Sequence, residues 1–312
     1  VENTEAGRKA YLRQAEMRNT DWFQELFRPT VQHSHSVSIT SGSEKGSYYA
    51  SLGALVDPGW SIQSKVNRYT ALFNTSQKLF NDHITLNIIG NASYRQQRAP
   101  GSLASSTNLV EGSVKRDFDI NPYSYALRTS RTLDPDEFYT RNYAPFNIKH
   151  ELENNYIDLS VLDTKFQAEI KAKPIKGLEL SALGSVRYQL SMTEHNIKDN
   201  SNQAEAYRAA ATKIIKNANP YLYKDPDNPT ADKYTVLPQG GILKKNDYSA
   251  LSMDFRASGT YNTAIAEKHI INAFAAMEVN SLDRHASSFD GWGLQYEAGE
   301  TPFYILDLFK KQ

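Results

Sequence analysis

Apolar and polar residues alternate along much of the chain at a period of two, which places successive side chains on opposite faces of a strand. Over 84–95 one face carries Ile84, Leu86, Ile88, Gly90, Ala92 and Tyr94, and the other Thr85, Asn87, Ile89, Asn91, Ser93 and Arg95. Over 165–173 the split is complete, with Phe166, Ala168, Ile170 and Ala172 against Lys165, Gln167, Glu169, Lys171 and Lys173. Leu180, Ala182, Val186, Tyr188 and Leu190 lead one face of 178–193, while Leu251, Met253, Phe255 and Tyr261 lead one face of 251–261. Weaker alternation marks 35–40, 47–56, 65–74 and 268–280, so eight strands are predicted.

The length of these strands is informative. Ordinary strands run to about 5 or 6 residues, whereas a tilted strand crossing a bilayer needs about 9 to 11, and most of the clear segments reach that. The connections come in two kinds, short at 42–46, 80–83, 174–177 and 262–267 and long at 57–64, 96–162 and 195–246. Tight turns at one end and long loops at the other characterise an outer-membrane barrel. On that reading 1–32 and 285–312 fall on the loop side. Helical periodicity enters the loops at 5–18 and at 202–217, where Ala204, Tyr207, Ala211, Ile214 and Ile215 make one apolar stripe. The predicted fold is all-β, a transmembrane antiparallel β-barrel whose long extracellular loops carry short helices. Eight strands close a barrel filled by its own side chains; two such long loops suit a wider mouth and point to a segment of a larger barrel.

Hydropathy does not oppose this. The mean is −0.58 and the longest apolar run is 273–277, which excludes a membrane-spanning helix but says nothing about strands that alternate. The 35 basic and 35 acidic residues cancel, removing the electrostatic basis for a nucleic-acid partner. Without cysteine there is no disulfide framework, thiolate nucleophile or cysteine-ligated zinc. No apolar leader follows Val1; the charged stretch 2–18 stands there instead, so either the chain is cytoplasmic or its true N-terminus lies upstream.

Candidate chemistry is sparse. His33 and His35 share a strand face, but no third metal ligand is visible and a polar rim explains them. Asp225, Asp227, Asn228 and Asp232 have the composition of a calcium loop, yet Pro229 occupies a ligand position and the required glycine is missing. Asp134, Asp136 and Glu137 read as surface charge. No nucleophile elbow, phosphate loop, dinucleotide fingerprint or zincin motif occurs, so no enzyme activity, cofactor or metal is expected. The aromatic residues are more telling. Tyr123, Tyr125, Phe138, Tyr139, Tyr143 and Phe146 lie in one long loop, and Tyr207, Tyr221, Tyr223 and Tyr234 in the other. They either pack the loops together or offer faces that stack on a ligand or anchor a protein. Tyr48, Tyr94, Tyr188 and Tyr261 read as girdle residues at the bilayer edges. Arg95, Lys165, Gln167, Glu169, Lys171, Arg187, Gln189, Asp254 and Arg256 read as a hydrated lumen wall of mixed charge.

Particular residues also resemble a family. The runs Asn19-Thr20-Asp21-Trp22-Phe23-Gln24-Glu25-Leu26-Phe27-Arg28, His35-Ser36-Val37-Ser38-Ile39-Thr40-Ser41-Gly42 and Tyr48-Tyr49-Ala50-Ser51-Leu52-Gly53, followed by Asn121-Pro122-Tyr123-Ser124-Tyr125-Ala126, Tyr143-Ala144-Pro145-Phe146-Asn147-Ile148 and Gly184-Ser185-Val186-Arg187-Tyr188, are similar to the barrel of SusC-type TonB-dependent transporters of the Bacteroidetes outer membrane. The resemblance covers most of the chain and thins after about residue 280. It implies a 22-stranded barrel with an N-terminal plug, importing oligosaccharides or peptides, capped by a SusD-type surface lipoprotein and energised by the TonB complex. On this view 1–312 is part of one barrel domain in the cell outer membrane, in contact with its lipid, while the plug and the remaining strands lie outside this sequence. Two other readings share some of the features: a passive porin, which would have neither plug nor lid, and a soluble β-rich glycan-binding protein or adhesin, whose apolar faces would need a second sheet.

Overall fold

The computed structural model describes residues 2–101, 105–108, 113–116, 118–265, 269–299 and 301–302. Eight long strands pair in chain order into one antiparallel sheet: β1 (His33–Ser43), β2 (Gly46–Asp57), β3 (Lys65–Leu79), β4 (Ile84–Pro100), β5 (Asn155–Ile175), β6 (Leu178–Ile197), β7 (Gly241–Ile265) and β8 (His269–Gln295). Thr301–Pro302 adds a short ninth strand beside the end of β8. All eight predicted strands are present, and each is longer than its alternation. Residues 96–100, 155–164, 194–197, 241–250 and 281–295 are strand, so the long loops shrink to 101–154 and 198–240. The stretch from 285 onward, expected as loop, continues β8 to Gln295. These are the loop-side ends, where both faces of the sheet leave the bilayer; the backbone ladder continues there without any apolar contrast to mark it. Of the predicted turn at 262–267, residues 266 and 267 lie outside the described residues.

The register carries the geometry of a barrel wall. Gly46, beside the first turn, lies on the cross-strand row that runs through Gln77, Leu86, Ile170 and Ala182 to Ala257. The fourth turn follows Ile265, so the turns step by eight residues along the strand direction over six inter-strand spacings. With ~3.3 Å per residue and ~4.8 Å between strands, level turns require a tilt of about 42°, within the range of transmembrane barrels. Tyr69, Tyr94 and Tyr188 each stand ten residues from the turn end of their strands, about 24 Å above it at that tilt. Tyr48 and Tyr261 stand two and four residues from their turns. The tyrosines thus form two levels about 15 to 20 Å apart at that tilt, bracketing an apolar band somewhat shorter than the ~25 Å band of an outer-membrane barrel.

Pairing keeps one face uniform. Phe73, Gly90, Phe166, Val186 and Met253 form one cross-strand row, and Ile88, Ala168, Gly184, Phe255 and Val279 the next. Phe73, Phe166, Val186, Met253, Phe255 and Val279 among them are exposed, Phe166 and Val279 by 55%, because lipid rather than a second sheet covers such a face. The opposite face carries the predicted lumen residues, laced together. Arg187 donates twice to Asp163 at 3.0 and 2.6 Å, Asn87 and Ser181 donate to Glu169, and Arg256 reaches Glu278 at 2.8 Å.

The buried core lies above the wall. Among the described residues six helices sit there: α1 (Glu5–Met17), α2 (Trp22–Leu26), α3 (Pro122–Arg128), α4 (Ile148–Asn154), α5 (Asn202–Ala206) and α6 (Lys213–Ala218). Each is started by a capping side chain, in order Thr4, Asp21, Asn121, Asn147, Ser201 and Thr212. The predicted helical stripe over 202–217 is therefore broken: Ala204 is fully buried while Ile214 is 81% exposed. Asn219 explains the break, since its Nδ2 donates to the carbonyls of Ala206 and Ala209 at 2.8 and 2.9 Å, which a continuous helix would use for its own ladder.

Candidate functional site

The loop assembly at the open end of the wall is the candidate site. Trp22 and Leu26 on one side of α2 pack against Ile120, Tyr125, Phe146, Ile148 and Leu152, all buried. Trp22 Nε1 donates to the Ser130 carbonyl at 3.0 Å, and its ring meets Tyr125 edge-on at 5.1 Å. The N-terminal segment is thereby tied to the loop more than a hundred residues later. Tyr125 and Tyr139 share a hydrogen bond of 2.8 Å between their hydroxyls; burial raises the pKa of both and keeps the pair neutral.

The two long loops are joined by side-chain amides. Asn202 Nδ2 donates to the carbonyls of Arg141, Ala144 and Pro145 at 2.7, 3.1 and 3.0 Å. Its backbone N–H donates to Glu151 Oε1. Asn155 Nδ2 donates to Gln203 Oε1 at 3.0 Å, and its Oδ1 lies 2.7 Å from His195 Nε2. Glu151 is 1% exposed, and burial pushes its carboxyl up to about 7 against the opposing pull of the Asn202 N–H. Arg208 donates to the carbonyls of Leu237, Asp199 and Gly240, closing the second loop on itself.

The predicted aromatic residues divide within this frame. Tyr125 and Phe146 are buried, and Tyr139 packs against them. Tyr221 packs against Phe118 at 4.8 Å and against Tyr207 at 5.5 Å, and Tyr207 meets the β8 residue Trp292 edge-on at 5.3 Å. Tyr223 and Tyr234 face each other across a two-way backbone bridge. Tyr123, Phe138 and Tyr143 present surface, at 50%, 54% and 37% exposure. Tyr123 belongs to a row that the sequence reading missed. Phe23 lies 5.9 Å from it and 5.6 Å from Phe27, and Trp60 lies 4.7 Å from Phe27 and 6.5 Å from Tyr123. The i, i+4 spacing of Phe23 and Phe27 was the available signal; Trp60 had none, because it comes from the β2–β3 loop. Of the carboxylates read as surface charge, Asp134 pairs with Arg18 at 3.1 Å and Asp136 with Lys149 at 3.1 Å. His33 and His35 stack at 6.3 Å, and among the described residues no three potential ligands gather to hold a metal.

With that geometry in view, the chain can be set beside known proteins. No protein-family profile matches it. Seventy residues, 22% of the chain, are 40% identical to the TonB-dependent receptor SusC of Bacteroides thetaiotaomicron. Over that stretch the chain is similar to SusC. Its fold matches the RagAB peptide transporter with a TM-score of 0.60 at 18% identity, covering 88% of this chain and 27% of that one. The RagAB peptide importer in its "open-open" state gives 0.57 at 19% identity over 87% of this chain and 26% of that one. The matched region is 7% of SusC, so the chain spans only a part of the proteins it resembles. The structural likeness is one of fold, a segment of a β-barrel wall, and the proteins matched are a receptor and transporters, not enzymes.

Proposed function

We propose that this chain forms part of the wall and the extracellular loops of a TonB-dependent nutrient importer in the outer membrane. The cargo is a large nutrient such as an oligosaccharide or a peptide, and a SusD-like lipoprotein closes the mouth. The observation that carries the reading is the wall itself: an apolar outer band between two tyrosine levels, a charge-laced inner face, and a folded loop assembly above one rim. The SusC likeness adds the energised class. On this reading 1–312 belongs to a single barrel domain whose plug and further strands are encoded outside it. The aromatic row Phe23, Phe27, Trp60 and Tyr123, with exposed Phe138 and Tyr143, contacts the lid or the arriving ligand, while Tyr125, Tyr139, Phe146, Tyr207 and Tyr221 hold those faces in place.

The test is uptake of labelled peptides and oligosaccharides by cells carrying the full-length protein, with and without a working TonB system. Uptake that requires both the protein and TonB supports the proposal. Uptake indifferent to TonB points to a passive pore. Recovery of the full-length protein in the soluble fraction without detergent points to the soluble binding protein.

A further inference from the structure

The outward face of the wall is not smooth. Between β1 and β5 it holds a groove of about 520 Å³ lined by Leu52, Ala54, Tyr69, Ala71, Ala92 and Tyr94. A second groove of about 540 Å³ shares Val37, Leu52, Ala71 and Ala92 with it and extends to Ile39 and Phe73. Together they form one apolar trough running obliquely from mid-band up to the outer tyrosine level. Its upper end stops at Tyr69 and Tyr94, which are direct cross-strand partners.

Continuing up the same two strands on the same face come Asn67 opposite Gln96, then Lys65 opposite Arg98. Gln96 donates to the Tyr94 hydroxyl at 3.1 Å. Two cations directly opposite each other on paired strands repel. Asp158 offsets one of them, accepting from Arg98 at 2.7 and 2.6 Å, and the Tyr156 ring lies 3.9 Å beneath the same guanidinium. Lys65 is exposed, and among the described residues no carboxylate stands within ion-pair distance of it. The pair thus keeps net positive charge four residues above the tyrosines, about 10 Å higher at the wall's tilt. Lipid headgroups occupy that level.

We propose that this face binds a lipid of the outer leaflet with a phosphorylated headgroup, its acyl chain in the trough and its phosphate between Lys65 and Arg98. Charge complementarity and continuity with the trough select this occupant: an uncharged lipid would leave the cation pair unbalanced, and an inorganic anion would leave the trough unused. The inference rests on the membrane-barrel reading above, but not on transport.

The experiment is native mass spectrometry of the full-length protein in non-ionic detergent, titrated with bisphosphorylated lipid A and with the same lipid stripped of its phosphates. The phosphorylated form is expected to bind at least about tenfold more tightly. Lys65→Ala reduces that preference severalfold and Lys65→Arg retains it, while Ala71→Trp, which fills the trough, weakens both lipids alike. Among the described residues Lys65 has no ion-pair partner to strand, so its variants leave the fold in place. Equal binding of the two lipids by the native protein, or an undiminished preference in Lys65→Ala, overturns the assignment. Uptake plays no part in this readout, so a barrel that fails to import yet discriminates the two lipids refutes the proposed function and upholds this site.

Discussion

The buried carboxyl of Glu151 makes the loop assembly pH-sensitive in a calculable direction. Its pKa rises from the ordinary 4.5 to about 7 because burial disfavours the charged form. The folded loops therefore prefer the protonated acid, and the sign follows. Below about pH 4.5 the group is protonated in both the closed and the opened loops and contributes no pH dependence. Between about 4.5 and 7 the opened form ionises and the closed form does not, so closure weakens steadily; above about 7 the loss is complete. The difference amounts to about 3 kcal/mol over the whole span, and roughly 2 kcal/mol of it falls between pH 5 and pH 8. Hydrogen exchange of the full-length protein, corrected for intrinsic rates, should show peptides from 141–155 and 198–208 less protected at pH 8 than at pH 5 by several tens-fold. Glu151→Gln keeps an acceptor for the Asn202 N–H and removes the ionisation, so its protection should be flat with pH and exceed the native value at pH 8. Equal corrected protection at the two pH values, or a pH dependence that survives in Glu151→Gln, would refute the reasoning.

Three further outcomes follow from the geometry. Asn202→Ala removes the donor for three loop carbonyls and should lower loop protection by about 1 to 3 kcal/mol, with the barrel's heat-modifiable gel mobility unchanged. Ala182→Lys and Phe255→Lys place charge on the apolar face, at a cost that reaches roughly 2 to 4 kcal/mol at the bilayer midplane and falls toward its edges, and both should deplete the protein from the outer-membrane fraction; normal assembly of both contradicts the lipid-facing assignment. If the proposed lipoprotein lid docks on the aromatic row, Trp60→Ala with Tyr123→Ala should reduce its co-purification while leaving loop exchange intact, whereas Tyr125→Ala should loosen the loops by about 3 kcal/mol.

The wall was legible in the sequence and the loops were not, for one physical reason. Inside the bilayer a strand's two faces meet lipid and water, and that contrast writes a period of two into 165–173 and 178–193. Where β5 continues up to Asn155 and β7 to Gly241, both faces meet water and the contrast disappears, so the predicted ends fell short. In the loops the informative residues are asparagines. Asn147, Asn155, Asn202 and Asn219 are buried and serve as connectors, each satisfying backbone or amide groups distant in sequence. A polar residue in a loop gives no local sign of such a role. The aromatic candidates were found as a class, but only the folded loops separate Tyr123, which presents surface, from Tyr125 two residues later, which is core.

This division of labour constrains how the mouth can work. The sheet's own apolar face is left to lipid, so the water-excluded core of the chain sits in the loops and the strand tops, where Ile197 and Ile242 join Ala204 and Leu237. Loops with a core do not sample conformations independently, and Asn202 with Glu151 spans the two longest of them. Any motion that admits a ligand must carry 101–154 and 198–240 together or break that junction, whose amide and carboxyl groups are costly to leave unpaired. Exchanging 101–154 alone for the equivalent loop of another transporter should therefore disorder both loops, because the incoming segment brings no carbonyls placed for Asn202 and no carboxyl for its N–H. Exchanging the two loops together should preserve a folded mouth and move its recognition properties with them.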